Sequence, residues 1–454
     1  MVSVVDGESH PSYHAAERWH ECDFTMPIRF SIPLIALALF LVIGLAAGRR
    51  ESTGDDNVIK IVSSLPRSGS ARGQTDTIVN GIRLALKEAD YKIELTDPET
   101  KKTTQYTIKY YDLDDATAAA GQWTIEQEIA NANQARTDPD VMAYIGTYNS
   151  GAAKVSMPIL NRAHMLMISP ANTAERLTKP ETGERHEPAC YRPTGEVNYT
   201  RVVPTDDLQS ELSVIWIRDL GCKKIYIIDD TQTYGQGIAN NVEKLSKKYG
   251  IEVLGHQSID DKSQEFSTLM TTIKGLSPDL IYFGGTTQSK AGQLFKDMLK
   301  VGMVCPMMGP DGCFEQAMAD SASPDTFEKA KFYATFGGLP IDALKTDGGR
   351  GANFVKNYAA EFGKEPGEAY AAYGYECGLV VLEAMKQAGK KDRNAIREAC
   401  LTKIKNFPGA TGLVSFDAQG DTTNQTMSGN VVVVKTNDKG ERKAGFEFVK
   451  PLKK

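Results

Sequence analysis

The chain is poor in the residues on which most enzymes and metal proteins depend. Histidine accounts for six of 454 residues. His10, His14 and His20 fall near the start, and His164, His186 and His256 are scattered. His164 heads a hydrophobic strand and reads as structural. No two cysteines stand at the C-x-x-C spacing of a metal or dithiol motif. The sequence also lacks G-x-S-x-G, H-E-x-x-H and G-x-x-x-x-G-K-[ST]. Those absences remove the nucleophile elbow, the zincin helix and the phosphate-cradling loop. Excess positive charge is missing too. A net charge of −6 without a clustered basic stripe argues against nucleic acid or an anionic membrane as partner.

Two weaker patterns carry little. Gly235-x-Gly237 follows a strand in the manner of a dinucleotide turn, but Asn240 stands where the third glycine belongs. Asp112, Asp114 and Asp115 resemble a metal cluster, yet no glycine turn or distal glutamate accompanies them, and a solvated loop is the expected form. Neither a cofactor nor a metal is implied.

The length predicts two domains, and the composition is that of a globular protein. Residues 1–57 stand apart as leader and linker. Arg29 precedes an apolar run from Phe30 to Gly48, which ends in the small residues Ala46 and Gly48. A signal peptide over about 26–48 is expected, with a single membrane anchor as the rival reading. Met26 is a candidate start, and no cysteine follows the run to accept a lipid. Of seven cysteines, Cys22 falls in the leader. The other six, Cys190, Cys222, Cys305, Cys313, Cys377 and Cys400, allow fifteen pairings. Cys305 and Cys313 flank a turn and are the nearest local pair; buried free thiols are the alternative.

After Val58 the chain alternates strand and helix, which predicts parallel sheets with helices on both faces. Strands are expected at 58–62, 106–111, 141–145 and 164–168, and helices at 75–89 and 118–135. An exposed excursion rich in Pro, Gly, Glu and Thr spans 178–198. A second unit begins after Asp206 with the same rhythm. It holds helices at 209–220, 238–249, 266–274 and 290–301, and strands K-I-Y-I-I-D-D, I-E-V-L-G and D-L-I-Y-F-G-G. Strand F-Y-A-T-F, helices at 351–362, 369–388 and 392–403, and strand N-V-V-V-V-K-T complete it. The expected fold is α/β, two Rossmann-like lobes with parallel sheets joined by a multi-crossing hinge. One lobe takes 58–201 and about 334–428; the other takes about 202–333 and 429–454.

Small polar loops close several of these strands. V-M-A-Y-I runs into G-T-Y-N-S-G-A, and H-M-L-M-I runs into S-P-A-N-T. Ligands of open α/β sheets sit beyond the carboxyl ends of parallel strands. Ser150 and Gly151, opening a helix, offer a hydroxyl and free N–H groups to an anion. Ser68-Gly69, Tyr148–Ala152 and Ala171–Thr173 form the first-lobe set. Asp230–Gly235, Gly285–Gln288 and Gly309–Gly312 form the second, and all are expected to face one cleft.

Taken in order, L-P-R-S-G, G-T-Y-N-S-G-A, I-S-P-A-N-T, R-V-V-P-T-D-D-L-Q, Y-G-Q-G, P-D-L-I-Y-F-G-G and M-G-P-D-G resemble the periplasmic branched-chain amino-acid binding proteins. These are solute receptors of ABC importers with the type I periplasmic-binding fold. The resemblance spans Val58 to the C-terminus. It implies that Ser150, with Gly151 and Tyr148 beside it, binds a ligand carboxylate. It implies that the Ala171 carbonyl and Thr173 hydroxyl fix the amino-acid head, that Tyr234 closes over it, and that Asp311 pairs with the ammonium. Two features depart from the family. Thr286 and Thr287 stand where relatives carry a tyrosine, which enlarges the side-chain pocket or makes it more polar. Arg67 adds a cation that either meets a second ligand anion or faces solvent. The implied protein is an exported, non-enzymatic receptor without cofactor. It captures an amino acid or similar small polar molecule for an inner-membrane ABC permease. A sensor of the same fold acting through a separate partner is the alternative.

Overall fold

A computed structural model describes residues 57–454 apart from 181, 183–185 and 347–348. The expected leader and Cys22 lie outside the described residues. Among the described residues, no helix is long and apolar enough to cross a membrane.

Six strands form the first sheet: β1 (Val58–Leu65), β2 (Lys92–Thr96), β3 (Thr103–Asp114), β4 (Val141–Gly146), β5 (Leu166–Ser169) and β6 (Tyr199–Arg201). Their order is β2-β3-β1-β4-β5-β6, parallel except for β2 at the edge. The second sheet contains β7 (Lys224–Asp229), β8 (Glu252–Ser258), β9 (Leu280–Gly284), β10 (Met307–Gly309) and β11 (Phe332–Phe336). After a short hairpin, β12 (Phe407–Pro408) with β13 (Leu413–Val414), it gains β14 (Met427–Thr436) and β15 (Arg442–Leu452). Its order is β15-β14-β11-β10-β9-β7-β8, with β14 and β15 antiparallel. Both sheets are therefore mixed but mostly parallel. Every residue of β4, β5 and β9 is buried. This is why those strands read as unbroken apolar runs: helices cover both faces.

Helices α1 (Arg72–Glu88), α2 (Ile125–Thr137) and α3 (Ser150–Asn161) pack on the first sheet. The helix Tyr370–Ala388 lies against α1 and joins them. Helices α4 (Asp206–Asp219) and α5 (Thr233–Lys248) begin the second unit. The chain passes between sheets after β6, after β11 and before β14.

Several expectations need correction. The helix expected at 118–135 begins only at Ile125, because Thr124 caps it by accepting the Gln127 N–H at 3.3 Å. Residues before it turn instead, with Gly121 at φ 67°. Strands β2 and β15 were not expected. The first is a five-residue edge strand whose alternation of Ile93 and Leu95 with polar residues went unread, and the second is charged and largely exposed, without a core pattern. Cys305 and Cys313 are both thiols, as are the other four described cysteines. The Cys313 thiol contacts the Gly285 carbonyl at 3.4 Å, whereas Cys305 lies 3.8 Å from the Met298 sulfur. Asp115 is not in a solvated loop. It is fully buried, neither of its oxygens has a hydrogen-bond partner, and burial beside Glu128 pushes its carboxyl well up. Arg67 does not line the cleft; it is half-buried at the surface, where Asp76 and Asp112 hold it at 2.7 and 2.9 Å.

Candidate functional site

In each sheet the strand order reverses at a point where the chain steps away on both sides, between β1 and β4 and between β7 and β9. Loops leaving such neighbours diverge and open a crevice. The loops after β1, β4 and β5 face those after β7, β9 and β10 across one cleft with two connected chambers.

The inner chamber, about 300 Å³ including the solvent space at its opening, is lined by Tyr148, Asn149, Ser150, Ala171, Tyr234, Thr286, Asp311, Gly312 and Tyr370. On its first-lobe wall, α3 starts at Ser150 with no side-chain cap. The first N–H groups of a helix have no intrahelical acceptor, so those of Ser150 and Gly151 remain available at a positive dipole end. The buried Ser150 hydroxyl accepts the Ala174 N–H at 3.4 Å, a long contact that leaves its own proton uncommitted. Gly151 is glycine for a packing reason as well. A Cβ there would lie 2.6 Å from the Trp123 ring. The Tyr148 hydroxyl donates to Gln74, and its ring meets Tyr370 edge-on at 6.3 Å.

The opposite wall is acidic. Tyr234 donates to Asp311 Oδ1 at 2.6 Å and accepts the Gly312 N–H at 3.0 Å. Tyr370, from a helix on the first sheet, donates to Asp311 Oδ2. Burial raises the Asp311 carboxyl above the usual range, and the two hydroxyls oppose that rise. Thr173 does not line the chamber. It is buried behind it. Asp206, whose N–H bonds the Thr173 carbonyl at 2.9 Å, is also fully buried, with the Thr173 hydroxyl beside its carboxyl. Burial, then the charges of Glu175 and Asp311, push its carboxyl well up.

The outer chamber, about 530 Å³ including its mouth, shares Tyr148, Asn149, Ser150, Tyr234 and Thr286 with the inner one. It adds Pro66, Ser70, Ala71, Gln122, Trp123 and Gly151 from the first lobe and Asp230, Gln232, Thr233, Gln288 and Ser289 from the second. Asp230 accepts the Gln232 N–H at 3.0 Å and the Ser289 hydroxyl at 2.6 Å, and burial pushes it up to about 6. Gly235 makes this corner possible. A Cβ there would lie 2.2 Å from Asp230 Oδ1 and 2.5 Å from the Gly284 carbonyl, so the glycine serves helix-on-strand packing.

Sequence reasoning thus brings Tyr148, Ser150, Gly151, Ala171, Tyr234, Thr286 and Asp311 to the cleft, with Thr173 one layer behind. Ser68 and Gly69 do not line it; their neighbours Pro66, Ser70 and Ala71 do. Trp123 and Gln122 were hidden inside an overlong helix. Tyr370 was hidden in a run that reads as pure core, and Asp206 in what reads as an ordinary helix start. Among the described residues, no cluster of His, Cys, Asp and Glu could hold a metal.

A profile of periplasmic binding proteins matches residues 58–441. The chain belongs to the periplasmic binding protein family. Members are non-enzymatic solute receptors. An amino acid binding protein of Pseudomonas aeruginosa is 26% identical over 318 residues, covering 70% of this chain and 77% of the relative. The leucine binding protein LivK of Thermotoga maritima superposes with a TM-score of 0.68 at 22% identity, covering 87% of this chain and 99% of that one. An R. palustris ABC-transporter solute-binding protein in complex with benzoate gives 0.65 at 18%, covering 86% and 97%.

Proposed function

We propose that this periplasmic binding protein is an exported receptor that captures an α-amino acid between its lobes and delivers it to an ABC permease. One observation carries the choice of ligand: the inner chamber sets an uncapped helix N-terminus with Ser150 opposite the buried carboxyl of Asp311. That arrangement complements a zwitterion, with the ligand carboxylate on Ser150 and α3 and its ammonium toward the Ala171 carbonyl, Thr173 and Asp311. A plain aromatic acid such as the benzoate of the R. palustris protein could place its carboxylate on Ser150 and α3 but lacks the ammonium that would pair with the acidic wall.

Binding works through closure. Only the closed form lets one ligand touch both walls, so ligand binding shifts the open–closed equilibrium. The three passages between sheets supply the hinge. A thermal-shift screen of amino acids, amides and small carboxylates tests the reading. A ligand at 100 times its Kd stabilises by about 2.7 kcal/mol. An α-amino acid giving the largest shift is the expected outcome; a shift with benzoate or p-hydroxybenzoate and with no amino acid overturns it.

A further inference from the structure

The outer chamber is amphipathic in a directed way. Trp123, Pro66 and Ala71 supply apolar wall, while Gln288 and Asp230 supply acceptors. The Gln288 amide is fixed: its Nε2 donates to Glu315 Oε1 at 2.7 Å. Its other end, Oε1, is buried with no partner. Asp230 Oδ1 and Oδ2 each accept one hydrogen bond, and a carboxylate has about four acceptor sites. No cation is among the residues lining either chamber. Gln288 Oε1 and Asp230 therefore have acceptor capacity left, in a chamber that adjoins the head-group chamber through Tyr148, Asn149, Ser150, Tyr234 and Thr286.

We propose that this chamber is a side-chain subsite for N–H donors, with Gln288 as its specificity-determining acceptor. The ligand is then an α-amino acid with an apolar stem ending in an amide or amine. This rests on the amino-acid reading above and narrows it. A hydrocarbon tip leaves the Gln288 carbonyl unpaired, and a carboxylate tip meets the like charges of Asp230 and Glu315. Thr286 in place of a bulky aromatic leaves the passage between chambers open.

The test is calorimetric titration of the full chain and of Gln288→Met with norleucine, leucine, glutamine, lysine and glutamate. Glutamine or lysine is expected to bind the wild type at least about tenfold more tightly than norleucine, with glutamate weakest. Whichever of glutamine and lysine leads distinguishes a neutral tip from a cationic one. Gln288→Met is expected to bring that ratio close to one while still binding norleucine, which shows that the variant is folded. Norleucine or leucine binding the wild type as tightly as glutamine and lysine overturns the subsite and leaves the amino-acid reading standing. A ratio unchanged in the variant removes Gln288 from it. If no α-amino acid binds, the amino-acid reading falls and the subsite with it.

Discussion

The two walls of the cleft differ in what holds their polar groups. On the first lobe the contacts offered are neutral and partly uncommitted: the start of α3, Ser150, Asn149 and the Ala171 carbonyl. On the second lobe they are acidic and already engaged, with Asp311 held by Tyr234, Asp230 by Ser289, and Glu315 by Gln288. The first wall can take an anion without rearrangement. The second stores charge in a hydrogen-bonded frame that needs a donor from the ligand to be complete. One tyrosine crosses the divide: Tyr370 packs with the first sheet yet donates to Asp311. On the proposed function, that asymmetry would give capture to the first lobe and discrimination to the second.

Breaking the acidic wall is expected to have the largest effect. Asp311→Ala removes the ammonium partner and the acceptor that joins Tyr234 to Tyr370. Truncating one partner of a buried charged pair costs about 2–5 kcal/mol, so calorimetry should show at least a thirtyfold loss, roughly. Small-angle scattering should also lose ligand-induced compaction. If the variant binds an amino acid as tightly as wild type and still compacts, Asp311 does not hold the ammonium. The ligand would then be an amide or a carboxylate.

On the neutral wall, Ser150→Ala should weaken binding by about 1–3 kcal/mol, the range for leaving a charged group short of a hydrogen bond. Melting of the unliganded protein should barely change, because among the described residues the Ser150 hydroxyl has one partner, the long 3.4 Å contact from the Ala174 N–H. Unchanged affinity would remove Ser150 from the carboxylate site and shift the anion-binding role to the N–H groups of α3 alone.

The difference between the walls was only partly legible in the sequence. Strand-end loops announce themselves through small polar residues after apolar runs, and this located Ser150, Ala171, Tyr234 and Asp311. What such patterns cannot carry is which side chains turn inward from elements that look regular. Tyr370 belongs to a helix buried on nearly every side, where periodicity gives no face to the cleft. Trp123 depended on where α2 starts, which one threonine cap decided. Asp206 reads as a favourable acidic residue in a first helical turn. Its burial exists only because a crossing from the first sheet to the second delivers it there. The parallel sheets were legible from unbroken apolar runs, while β2 and β15 at sheet edges lacked any such signal.

Thr286 sharpens the comparison because it touches both chambers. Its hydroxyl lies 3.0 Å from that of Ser289, which in turn donates to Asp230. Thr286→Tyr should fill the passage and shift preference toward smaller side chains while head-group binding persists. A uniform loss across a series of amino acids would mean that Thr286 supports the Ser289–Asp230 frame and not the pocket.

The smallest expected effect is on unliganded stability and comes from pH. Burial pushes Asp230 up to about 6, Glu315 to about 7 and Glu368 to about 8, and it lifts Glu128 in the first lobe to about 7. Each takes up a proton on folding, so the folded state binds more protons than the unfolded one between the unfolded value near 4.5 and these raised values. Stability therefore falls as pH rises through about 5 to 8. The opposite sign comes from Glu211, held down to about 2 by Lys454 and Tyr249, whose contribution is lost only in stronger acid. Melting temperature should peak on the acidic side of neutrality, near pH 5, with Glu315→Gln and Glu368→Gln flattening its decline. The two walls can be separated this way. Glu368 precedes the helix bearing Tyr370, and it accepts the Gln316 N–H at 3.1 Å across the cleft. Glu128 is enclosed within the first lobe, accepting from Ser64 and Tyr144. Opening the lobes should release the Glu368 proton but not that of Glu128. Ligand affinity should thus decline as pH rises toward about 8 in wild type and level off above it, with no such decline from this group in Glu368→Gln. An affinity that is flat from pH 6 to 9 in both would mean that Glu368 keeps its surroundings when the cleft opens.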